Sequence, residues 1–223
     1  MNASRSAMAN MSLNMDTQYQ EAVSPLVLRV GYIDVDPNMT PVKILGDLIT
    51  SATSAKCHFE VWWAQVSEAK PGLVGVMNQH SDFFRASADA HYTAFFVYVA
   101  HLFDKRPDSS SIPTYLNAAT ETSDPVALAS LRTEFEALAA RAAPLITARH
   151  KTVAHIDARL TEKDVFAPLN ITWDEVRDIV YDSAKFVAKL GGATDLGSIG
   201  ICRDRRLIES TLKLINALPK GGV

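Results

Sequence analysis

From Pro41 to Leu218 the apolar residues recur at intervals of three and four. That period constrains the chain most, because only a helix, turning every 3.6 residues, gathers such residues on one side. Leu45, Leu48, Ile49, Ala52, Phe59, Trp62, Trp63 and Val66 make the first stripe, and Pro71-Gly72 ends it. A second stripe comprises Leu73, Val76, Met77, His80, Phe83, Phe84, Ala88, Tyr92, Phe95, Val99, Leu102 and Phe103, and it stops where Asp104 to Ser111, with Pro107, break it. The short link between the stripes predicts two long antiparallel helices. Trp62-Trp63 and Phe83-Phe84 then read as core and interface aromatics.

After a short apolar piece from Ile112 to Ala119, Asp124 is placed to cap a helix with Pro125 at its first position, where a missing N–H costs nothing. The stripe that follows, Leu128, Leu131, Phe135, Leu138, Ala142, Leu145 and Val153, contains Pro144. A proline there removes one backbone hydrogen bond and predicts a kink near residues 140 to 144. Thr172 and Glu175 form a capping box ahead of Val176, Ile179, Val180, Val187 and Leu190, and Gly191-Gly192 closes that helix. Leu207, Ile208, Thr211, Leu212, Ile215 and Leu218 make a last stripe. The expectation is an all-α bundle of about five helices over residues 41–218, in one domain. Residues 1–40 are expected to be a polar, flexible tail followed by a short extended stretch in which Leu26, Leu28, Val30 and Tyr32 alternate.

The 223 residues are 48% hydrophobic with a net charge of −3, which excludes wholesale disorder and leaves no bulk charge pointing to nucleic acid. Cys57 and Cys202 lie far apart, with no Cys/His cluster for a structural zinc or a redox pair, so a reducing cytoplasm is the expected compartment. The N-terminal residues lack the pattern of a secretory signal, and no run of about 18 apolar residues predicts a membrane span. Charge is nonetheless uneven. Between residues 141 and 163 the cations Arg141, Arg149, Lys151, Arg159 and Lys163 face only Asp157 and Glu162. A basic island on an acidic chain predicts a phosphate-binding surface.

Within the island, residues 149–157 read Arg-His-Lys-Thr-Val-Ala-His-Ile-Asp. Cutting RNA without a metal needs a base for the 2′-OH, an acid for the leaving 5′-oxygen and cations for the phosphate. Histidine serves as either acid or base near neutral pH, and the arginine fork matches phosphate oxygens. Arg149 and His155, six apart, would stand about 9 Å apart along a helix and about 120° around it, so they cannot touch within one regular helix. Two copies packed across a two-fold axis could turn both pairs into one cleft. Arg149 also falls in register with Leu145 and Val153, which carries a charge into a face meant for burial and asks for an interface or ligand to satisfy it.

The Arg-x5-His spacing, closed by Ala-His-x-Asp, resembles the signature of the HEPN superfamily of helical-bundle proteins. The setting is similar to the abortive-infection AbiU-like branch: a long helix ending in His101-Leu102-Phe103-Asp104, a polar turn, Ser111-Ile112-Pro113-Thr114-Tyr115-Leu116, then the motif helix. The likeness covers roughly residues 40–190. It implies a metal-independent endoribonuclease of toxin–antitoxin or phage-defence type, needing no cofactor and acting as a homodimer on RNA. His155 would be the proton-transfer residue and Arg149 the phosphate clamp. His150 stands where the family often has Asn or Asp, and would either bond substrate or orient Arg149. Lys151 and Arg159 would be RNA contacts or ordinary surface charges, and Asp157 would orient a basic side chain or end the helix.

The resemblance also leaves open a non-catalytic module that binds RNA, a nucleotide or a protein partner, such as an antitoxin or a nucleotidyltransferase. On the residues alone, Arg149 to Asp157 also reads as a solvated helix end whose cations suit the C-terminal dipole. The expected dimer interface joins the motif helix to the aromatic face of the preceding long helix. His80 and His91 share a helical face but have no third ligand at metal spacing, and His58 and His101 read as partly buried polar residues.

Overall fold

The computed structural model describes residues 40–121, 123–149, 169–193, 196–201 and 203–218. These form seven α-helices and no strand: α1 (Pro41–Val66), α2 (Pro71–Gln79), α3 (Ser81–Leu102), α4 (Ile112–Ala118), α5 (Pro125–Arg149), α6 (Trp173–Leu190) and α7 (Arg206–Ala217). The all-α expectation holds, but about five helices becomes seven. The second stripe is two helices, because at His80 (φ −121°, ψ 39°) the backbone leaves the helical region, and α2 turns aside onto α7. The apolar piece after Ser111 is a helix of its own, capped by the Ser111 hydroxyl. Residues 1–39, including the alternating stretch, and Cys202 lie outside the described residues.

Local signals set most helix ends. Asp124 accepts the Ala127 N–H at 2.9 Å. Thr172 accepts the Glu175 N–H while the Glu175 carboxylate takes the Thr172 N–H at 2.7 Å. Past α6 the chain turns at Gly192, whose φ of +71° suits glycine. Helix α5 runs through Pro144 to Arg149 without a break.

Packing centres on α1 against α3, antiparallel. Along their contact Ser51 meets His101 at 3.0 Å, His58 meets His91 at 2.7 Å and Gln65 meets Ser87 at 3.1 Å. Around these polar pairs lie Leu48, Phe59, Phe95, Phe96 and Leu102, all essentially buried. Each contributes roughly 1.5–3 kcal/mol relative to exposure. Trp62 and Trp63 are core residues as expected. Phe83 and Phe84 divide: Phe84 is buried against α7's Ile215, whereas Phe83 is 65% exposed. Most of the aromatic residues of α3 are thus buried within the chain, with Phe83 exposed.

One buried polar cluster ties the C-terminal helix to α1. Lys56 and Glu60 are wholly buried and pair at 2.8 Å. The Glu60 carboxylate also accepts the N–H groups of Arg205 and Leu207, both at 2.8 Å, and so caps α7 from another helix. Lys56 lies 3.2 Å from Asp204 and 4.9 Å from the Tyr181 ring centre. Burial, and then the Glu60 charge, push the Tyr181 hydroxyl well above the usual tyrosine range. Arg205, in the left-handed region at φ +65°, is held by both Glu60 and a two-pronged bond to Glu68 at 2.7 Å.

Candidate functional site

Arg149 closes α5, one residue beyond the fully buried Ala148 and four beyond Leu145, as its place on the apolar stripe predicted. The side chain is half-buried. Its Nε is sealed from solvent and has no hydrogen-bond partner among the described residues. An unmet guanidinium N–H is costly, so this position calls for an acceptor.

Beside it lies an open groove of about 910 Å³ between the end of α3 and the second half of α5. The α5 wall is low because Ala139, Ala140, Ala143 and Thr147 share one face. Val97, Phe103 and Phe135 supply apolar surface, and the Phe103 and Phe135 rings stack at 5.9 Å. Lys105, Arg106 and Arg149 bring three cations to the lining against the one carboxylate of Asp104.

The turn after α3 is held in place by its own side chains. Arg106 donates to Asp104 through its guanidinium at 2.7 Å and its backbone N–H at 3.0 Å. Those guanidinium bonds hold the Asp104 carboxyl below the usual carboxylate range, against the opposing effect of burial. Further along, Ser110 donates to Asp47 of α1 at 2.6 Å, and Asp47 also takes the Lys43 ammonium at 2.8 Å. Burial raises the Asp47 carboxyl, but these two donors bring it below its ordinary value. His101, in the last turn of α3, lines the groove with its Nδ1 bound to the buried Ser51 hydroxyl, which leaves Nε2 for other partners.

Of the catalytic and RNA-binding residues expected from the sequence, Arg149 is the one the structure describes. His150, Lys151, His155, Asp157 and Arg159 lie outside the described residues. Arg141, first of the basic island, is paired across to Asp182 of α6 at 2.8 Å. Sequence reasoning missed the groove partners His101, Lys105 and Arg106; the run His101-x2-Asp104-Lys105-Arg106 at a stripe's end was the available signal.

Among the described residues no group of three or more His, Cys, Asp or Glu could hold a metal ion. His91 pairs with His58 across the α1–α3 contact rather than with His80, which is exposed at the α2–α3 break. Burial lowers the pKa of both paired imidazoles, and for His91 the charge of His58 adds to it. No described helix is long and apolar enough to cross a membrane.

No curated protein and no solved structure matches the chain. A family model described as AbiU2, of HEPN type, matches residues 43–199, from the first turn of α1 to the short 3-10 turn Gly197–Ile199 beyond α6. That span carries the groove and Arg149, and the chain therefore belongs to the AbiU2 family of HEPN proteins.

Proposed function

We propose that this chain is a metal-independent endoribonuclease acting in toxin–antitoxin or phage defence in the cytoplasm, as a homodimer and with an antitoxin or nucleotidyltransferase as a further partner. The observation that carries the reading is Arg149: a guanidinium whose Nε is buried and unmet, at the edge of an open cationic groove, in a chain of HEPN family. A phosphate in that groove would give the guanidinium a counter-charge.

In this mechanism His155 takes the proton of a ribose 2′-OH. The 2′-oxygen bonds to phosphorus, the bond from phosphorus to the 5′-oxygen breaks, and the partner's His155 protonates the departing oxygen. The products are a 2′,3′-cyclic phosphate and a 5′-hydroxyl. Arg149 neutralises the charge growing on the non-bridging oxygens, and Lys151, Arg159 and His150 hold the strand while Asp157 orients a basic neighbour. A two-fold interface of roughly 1,600 Å² would sustain this composite site.

The test is incubation of purified protein with end-labelled RNA in EDTA. Cleavage should persist and should fall by about 10²–10⁴-fold in His155→Ala. Activity abolished by EDTA, activity surviving His155→Ala, or a monomer by light scattering at micromolar concentration would each overturn the mechanism. Salt-sensitive RNA binding without cleavage would reassign the chain to a non-catalytic RNA-binding role.

A further inference from the structure

The groove between α3 and α5 has a chemical character of its own, and we infer that it is a subsite for one unstacked nucleotide of a bound RNA strand. The inference rests on the reading of the chain as an RNA-acting protein, and it concerns residues upstream of the Arg-x5-His segment. Three features of the groove converge on a ligand with a flat, largely apolar body and an anionic end.

The first is shape. At about 910 Å³ the groove falls in the range of small-molecule sites, and its α5 side is cut back to alanine at positions 139, 140 and 143. Ala140 and Ala143 are exposed, so neither is small because a neighbour packs on it. The second is the division of the lining. Phe135, half-exposed, supplies an aromatic surface against which a base can lie, while Lys105, Arg106 and Arg149 outnumber Asp104 in charge and suit a phosphate.

The third is a set of hydrogen-bonding groups with capacity to spare. Pro144 has no N–H to give the carbonyl of Ala140, a residue that lines the groove, so this carbonyl lacks its usual helical donor. His101 is held by Ser51 through Nδ1, which leaves Nε2 for the edge of a base. Arg149, half-buried at the end of α5, brings its guanidinium to the same lining. A nucleobase with its phosphate offers a donor to the carbonyl, an edge to the imidazole and oxygens to the guanidinium.

The test uses 2′-O-methyl RNA ten-mers, which cannot be cut by 2′-oxygen attack, alongside abasic ten-mers with the same phosphates. Fluorescence anisotropy measures Kd for the wild type, Ala143→Trp, Ala140→Trp, His101→Ala and Arg106→Ala. The wild type should prefer the base-bearing strand by about 5- to 100-fold, the span expected for stacking of one base. Ala143→Trp, which fills the groove from an exposed position, should erase that preference, and His101→Ala should reduce it. Arg106→Ala should weaken both strands and lower the slope of log Kd against log salt by about 0.7.

Equal affinity of the wild type for the two strands, or a preference unchanged in both tryptophan variants, would overturn the inference. If only one tryptophan variant keeps a native circular dichroism spectrum, that variant decides. Cleavage that depends on His155 but is untouched by Ala143→Trp would leave the nuclease reading standing and remove the subsite. Base-dependent binding without cleavage would do the reverse.

Discussion

Replacing Glu60 with Gln should destabilise the protein far more than one change within a helix normally does. The wild-type carboxylate, wholly buried, balances the Lys56 ammonium at 2.8 Å and accepts two backbone N–H groups at the start of α7. In Glu60→Gln the ammonium loses its buried counter-charge, and the nearest carboxylate left to it is Asp204, at 3.2 Å and with its side chain 41% exposed. Removing one partner of a buried pair costs about 3–5 kcal/mol. One N–H facing the new amide group adds about 1–3 kcal/mol. Both losses stem from the same group and overlap, so a total of about 4 kcal/mol is expected, a large share of the roughly 5–15 kcal/mol of a folded domain. Lys56→Met leaves the buried carboxylate without its cation but still bound to two N–H groups at the positive end of α7, so it should cost somewhat less, about 3 kcal/mol.

Urea unfolding of the two single variants and the double variant measures the coupling, expected to be about 2 kcal/mol or more. Hydrogen exchange should show the Arg205 and Leu207 amides losing protection first. If Glu60→Gln lies within about 1 kcal/mol of wild type, or the two changes simply add, the cluster does not hold α7 in the way described.

Acidification should act through the His58–His91 pair. Both imidazoles titrate below their usual 6.5 in the folded chain, so the unfolded chain binds more protons, and stability is full above that value and falls as the pH drops through it. His91→Gln should flatten the fall of Tm between about pH 7.5 and 5.5; an unchanged slope would acquit the pair. Thr172→Ala, which removes one half of the α6 capping box, should lower stability by about 1 kcal/mol in urea, and an unmoved midpoint would show that the Glu175 carboxylate suffices alone.

What could be read in the sequence was local. Asp124, Thr172 with Glu175, and the glycines after Leu190 mark helix ends through bonds to residues within five positions, so spacing alone exposes them. The break at His80 carries no proline or glycine and depends on α2 packing on α7, which no window of sequence contains. The start of α7 is set by Glu60, some 145 residues upstream, and the Lys56–Glu60 pair was hidden inside a stripe read for its apolar members. Arg149 was legible because it interrupts a stripe. Its groove was not, since the other wall belongs to α3 and only packing brings His101 and Arg149 to one surface.

The three polar pairs between α1 and α3 work as a gauge. Ser51, His58 and Gln65 are spaced by seven residues on α1, and their partners His101, His91 and Ser87 span the same fourteen positions in reverse on α3. Sliding one helix past the other by a turn, about 5.4 Å, would keep apolar residues facing apolar residues but would strand all three pairs at once. Grease alone tolerates many alignments, whereas this ladder admits one. His101 is its last rung, so the position of the groove wall is metered from the far end of the helix pair, about 21 Å away at roughly 1.5 Å per residue.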